Sequence, residues 1–123
     1  MLSTDDRLAP IRAALDASWT DELILDTGVS YRPDDPVRIR IRRRERRYDL
    51  TDDGTAVRLA GQTPGWLEVT ERLVAAAGFN VNRRGILFVP AVEGRDIAAL
   101  ALRLADTSRA TYLTLLELRA DST

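Results

Sequence analysis

Three pairs of adjacent aspartates, Asp5-Asp6, Asp34-Asp35 and Asp52-Asp53, are the residues of this chain whose spacing most suggests chemistry. Two carboxylates side by side can hold Mg²⁺ or divide the work of acid and base. Each pair also falls at a helix start or a turn, where aspartate is favoured because its side chain bonds nearby backbone N–H groups. Neighbours in sequence need not aim at one ion. The expectation is a structural role for all six, and Asp34, Asp35, Asp52 and Asp53 are the set a metal-dependent enzyme would use.

Other chemistry is narrowed by composition. The 123 residues contain no cysteine, no histidine and no lysine, so all 18 basic residues are arginine. Serine triads and cysteine proteases need a histidine base. Walker-type phosphate binding and Schiff bases need a lysine. Zinc sites of the usual Cys/His kind cannot form, and neither can disulfides. A non-enzyme without catalytic, metal-binding or cofactor-binding residues is therefore expected. With 45% hydrophobic and 30% charged residues, the chain reads as one globular domain spanning residues 1–123. It shows no secretory signal and no apolar run long enough to span a membrane, and a bacterial, cytoplasmic protein is expected.

The strongest charge feature lies between Arg32 and Arg47. Eight arginines against three acids leave five excess positive charges there, in a chain whose net charge is -1. Three readings are open. The run is a solvated sheet face, or it meets an acidic protein partner, or it grips a phosphate backbone. Few aromatic residues stand among the arginines to stack on bases, which weighs against nucleic acid.

The elements that must position these residues follow from periodicity. Thr4 caps a first helix carrying Leu8, Ile11, Leu15 and Trp19, with Pro10 limiting its regular part to about residues 10–18. Leu23–Leu25 is a strand or a helix extension, and residues 26–36 are rich in turn formers. Val37, Ile39 and Ile41 alternate with Arg38, Arg40 and Arg42, which marks a half-buried strand. A loop at Arg44-Glu45 pairs Ile41 with Tyr48. Asp53-Gly54 reads as a two-residue hairpin turn, pairing Leu50 with Val57 and Tyr48 with Leu59. All the apolar residues then share one face, while Asp49 sits outward between Arg40 and Arg58. Thr63-Pro64 opens a helix that Gly78 ends. A second hairpin turns at Arg83-Arg84-Gly85, placing Phe79, Val81, Leu87 and Val89 on one face and Ile86 and Phe88 on the other. Pro90 ends the sheet. A helix around Ile97–Leu104 and another capped by Thr107 or Ser108 complete the order α-β-β-β-α-β-β-α-α. The fold class is α+β, with a five-stranded antiparallel sheet (a meander of three plus a hairpin) and helices on one face.

That order resembles the small dimeric chaperones of bacterial type three secretion and their relatives. The resemblance implies a cofactor-free homodimer that binds an unfolded segment of a partner protein. The basic sheet face departs from those acidic proteins. The stretch Tyr48–Gly54 is also similar to an uncharacterised bacterial family in which a strand ends in Ser/Thr-Asp-Asp-Gly. The expected function is a chaperone-like binding protein, homodimeric, taking a protein or peptide partner and no membrane. Arg38, Arg40, Arg42, Arg47, Arg58, Ile86 and Phe88 carry the contact. The alternative is a nucleic-acid-binding regulator of phage or toxin–antitoxin type.

Overall fold

The computed structural model describes residues 2–122. A first helix, α1 (Thr4–Asp16), leads into three strands, β1 (Glu22–Arg32), β2 (Asp35–Arg44) and β3 (Arg47–Thr51). Two helices follow, α2 (Thr55–Ala60) and α3 (Trp66–Ala76), then a second strand pair, β4 (Asn80–Val81) and β5 (Leu87–Val92). A 3-10 turn (Gly94–Asp96) runs into the long α4 (Ile97–Asp121). The sheet is antiparallel throughout, in the order β1-β2-β3-β5-β4. The expected α+β class, with a meander of three strands plus a hairpin, is the architecture of the chain.

The inner face of the sheet supplies Leu25, Val37, Ile39, Ile41, Leu50 and Leu87, all 1% exposed or less. Burial alternates along β1 and from Val37 to Arg42 in β2, which places Arg38, Arg40 and Arg42 outward. Helix α4 lies on the inner face and supplies Ala101, Leu104, Ala105, Ser108, Thr111 and Leu115 to the core. The small residues among these let the helix approach the strands closely. Its arginines also finish its neighbours. Arg119 donates to Ala60 O at the end of α2 (2.9 Å), and Arg103 donates to Ala77 O just past the end of α3 (2.8 Å). Both cations stand where helix carbonyls lack partners. The Arg103 guanidinium also lies over the Phe79 ring.

Several elements differ from the sequence expectation. The helix cap is Ser3, in a capping box with Asp6, and α1 runs through Pro10 because that box and the burial of Leu8 and Ile11 outweigh one lost hydrogen bond. The region 26–32 belongs to β1. At its bulge Thr27 Oγ1 donates to Val37 O (2.8 Å) in place of a ladder bond. The β2–β3 turn is Glu45-Arg46, so Ile41 faces Leu50 rather than Tyr48. That shift of two residues leaves every side chain on its expected face, since strand side chains repeat every two. Tyr48 does point inward, where Trp19 packs on its ring.

The largest correction concerns Asp53-Gly54. Both residues are left-handed, with φ of 58° and 76°, as a tight hairpin would need. Yet the chain continues into α2 instead of turning back. Val57 and Leu59 are helical, and the partners of Leu50 and Tyr48 are Val89 and Val92. The Asp52 carboxylate bends the backbone there by accepting from Gly54 N (2.8 Å). Pro90 does not end the sheet either. β5 continues to Val92 through a bulge at Pro90-Ala91, where Ala91 takes φ 56°. Helix α3 starts after a Gly65 cap, not at Thr63-Pro64. The two helices expected after residue 97 are one. Thr107 bonds back to Arg103 O within it, and Ser108 points into the core.

Candidate functional surface

The outer face of the sheet is laid down by the residues opposite the core. Glu22, Ile24 and Asp26 of β1 stand across from Arg42, Arg40 and Arg38 of β2. Asp49 and Thr51 of β3 stand across from Arg42 and Arg40. Phe88 of β5 lies beside Thr51. Helices pack on the other face, and this one stays open: Ile24, on the edge strand β1, is 52% exposed.

Most of the arginine row is neutralised in place. Arg40 reaches Glu22 on one side (Nη1–Oε1 2.8 Å) and Asp53 on the other (Nε–Oδ2 2.9 Å), tying β1, β2 and the end of β3 together. Arg42 shares Glu22 at 3.2 Å. These two guanidiniums hold the Glu22 carboxyl below its usual range. Arg44 pairs with Asp49 at 3.0 Å, and Asp49 Oδ1 also accepts from Ala91 N, pinning the β5 bulge. Arg47 stands 3.7 Å from Glu93. Arg38, Arg43 and Arg46 are exposed and make no ion pair among the described residues.

Of the seven residues expected to form a contact, Arg38, Arg40, Arg42 and Phe88 share this face. Arg47 sits at its end, by the β2–β3 turn. Arg58 does not belong to the sheet, because its segment is α2, and so Asp49 does not lie between Arg40 and Arg58. Ile86 precedes β5 and is half-buried. It still adjoins the arginines, since it lines a groove with Arg40, Arg42, Asp49, Thr51 and Asp53. The same Ile86 walls a second cleft of about 510 Å³, on the far side of Asp53, where Arg58 and Arg84 project.

The aspartate pairs do not converge on an ion. Asp6 is spent in the α1 cap, and Asp35 pairs with Arg32 at 2.6 Å. Asp52 and Asp53 point to opposite sides of the sheet. Asp53 meets Arg40 outside, while Asp52 is fully buried. Asp52 Oδ1 accepts from Gly54 N and Leu87 N, and Oδ2 accepts from Ser108 Oγ at 2.7 Å. Ser108 thereby uses its only proton, so the Tyr31 hydroxyl 2.7 Å away donates to Ser108 Oγ. Burial pushes both the Asp52 carboxyl and the Tyr31 phenol above their ordinary values. Sequence reading missed this chain of hydroxyls. Its one signal is a serine in the middle of an apolar helical stripe. Among the described residues no group of three or more carboxylates is placed to hold a metal ion, and no helix is long and apolar enough to cross a membrane.

Comparison with known proteins finds no matching family model, no matching curated protein and no matching solved structure.

Proposed function

We propose that this chain is a non-enzymatic, chaperone-like binding protein, a homodimer, that holds a protein or peptide partner on the open outer face of its sheet. The observation that carries the reading is Ile24, an isoleucine 52% exposed near the start of the edge strand β1 and set beside guanidinium groups. An apolar side chain is exposed there at a cost unless something covers it part of the time. Arg38, diagonal to it on β2, has no salt-bridge partner among the described residues, so an extended segment presenting a carboxylate and an apolar side chain fits the face. Asp52, a fully buried carboxylate, has three donors on its oxygens, which supports a binding role over a catalytic one.

The test is affinity purification from the native host with wild type and with the double variant Ile24→Ser/Arg38→Glu. Neither residue belongs to the ion-pair network, so thermal melting should not change. A protein held by wild type and lost by the variant is the expected result; equal retention would sink the reading. Sedimentation equilibrium checks the dimer, and a monomer at tens of micromolar would remove that part.

A second reading, nucleic-acid binding, is favoured by the β2–β3 turn. There Arg43 and Arg46 are exposed without an acid partner among the described residues. It expects affinity for duplex DNA to fall steeply with salt, and a flat salt response in fluorescence anisotropy would count against it.

A further inference from the structure

We infer that the cleft between α2 and the β4–β5 turn is a binding site for a small organic anion, a phosphate monoester or a carboxylate, gripped by Arg58 and Arg84. The site adjoins the open sheet face across Asp53 and Ile86, but it does not depend on the occupant of that face. Its volume of about 510 Å³ suits a small ligand with an organic body better than a bare ion. Arg58 and Arg84 both line it, and neither has a salt bridge among the described residues. Gln62 adds an amide donor. The single acid in the wall, Asp53, does not repel an anion strongly, because both its oxygens accept from Arg40 Nε (2.9 and 3.2 Å). Ile86 gives the cleft an apolar side against which a ligand body can pack.

The backbone that carries the two arginines is also fixed. Arg58 donates to Thr55 Oγ1 one turn back along α2. The turn bearing Arg84 is fixed by Asn82, whose Oδ1 accepts from Arg84 N and Ile86 N while its carbonyl accepts from Gly85 N. The walls are pressed together as well. A Cβ on Gly85 would stand 2.8 Å from Val57 Cγ1, and one on Gly54 would stand 3.3 Å from Ile86. Two guanidiniums carried on fixed backbone suit an oxyanion, because their side chains alone remain to be ordered on binding.

The experiment is a titration of the ¹⁵N-labelled full chain with inorganic phosphate, phenyl phosphate and benzoate at constant ionic strength. Saturable shifts at Gly54, Gly61 and Gln62 are expected, with the organic anion of the preferred class binding more tightly than inorganic phosphate. Whether phenyl phosphate or benzoate saturates first tells phosphate from carboxylate. Arg58→Ala/Arg84→Ala should weaken that binding roughly tenfold or more, while Arg83→Ala should not. Arg84→Glu, at a side chain that no hydrogen bond or salt bridge engages among the described residues, should abolish it in a folded chain. Absence of saturation with all three anions, or equal binding by the Arg84→Glu variant, would overturn the inference.

Discussion

Ser108, in the middle of α4, donates to Asp52 at the end of β3 across 2.7 Å, joining residues 56 apart in sequence. The bond sits where the sheet hands the chain over to α2. Asp52 holds Gly54 N on one side and Leu87 N on the other, so one carboxylate fixes the start of α2 and the edge of β5 together.

Substituting Asp52 separates its charge from its hydrogen bonds. Asp52→Asn keeps an acceptor for Gly54 and Leu87, and its amide can donate to Ser108 if Ser108 then donates to Tyr31. The fold should survive. Asp52→Leu leaves two buried N–H groups without an acceptor and takes one of the two bonds of Ser108, and should cost about 3 kcal/mol or more. Burial raises the folded pKa of Asp52. The folded state therefore binds a proton more tightly than the unfolded chain does. That contribution is complete below the unfolded value near ~4 and is lost as pH rises through the folded value. Glu22 acts in the opposite sense. Its lowered pKa adds stability that is present above the unfolded value and fades as pH falls. The quantity to measure is the difference in melting between wild type and Asp52→Asn. Wild type should lose ground to the variant as pH rises, and a constant difference would contradict the buried-charge account.

Ala91 occupies the left-handed region without being glycine. Ala91→Gly should stabilise the protein by about 0.5–1 kcal/mol, as relief of the left-handed cost exceeds the added chain entropy. Chemical denaturation should show a higher midpoint with an unchanged slope.

Gly85 meets Val57 with no room to spare and has φ 83°. Gly85→Ala should cost about 2–4 kcal/mol, from overpacking and backbone strain together. In a Val57→Ala background the cost should shrink by about 1 kcal/mol or more. Additive losses would mean that the backbone strain alone is responsible.

Arg103→Ala and Arg119→Ala should each lower stability by about 1 kcal/mol, since each removes a charged donor from helix carbonyls. The two residues are separated by roughly 24 Å along the helix. Their effects should add, which a double variant tests by denaturant titration.

What could be read from the sequence was the part governed by a period of two. Ile39, Ile41 and Leu50 inward and Arg38, Arg40 and Arg42 outward followed from alternation, and survived a register shifted by two residues. The turn Asp53-Gly54 shows where such reading ends. Its left-handed residues were legible, but the direction of the chain beyond them was not. In a segment as short as Thr55–Ala60, Val57 and Leu59 satisfy both a strand and a helix. Burial of Asp52 against a serine 56 residues away decides between them. The candidate site divides the same way. Arg38, Arg40, Arg42 and Phe88 share a face because the strands alternate. The pairing of Arg40 with Glu22 and Asp53, 18 and 13 residues off, required the sheet itself.

Helix α4 covers the sheet's inner face and caps the ends of α2 and α3, and it comes after all of them in the chain. On a ribosome, then, the strands emerge before the surface that buries Ile39, Ile41 and Leu50 has been made. Nascent chains stalled before residue 97 should stay sensitive to protease and be bound by holdase chaperones. Resistance should appear in one step, once Ala101–Leu115 clears the exit tunnel.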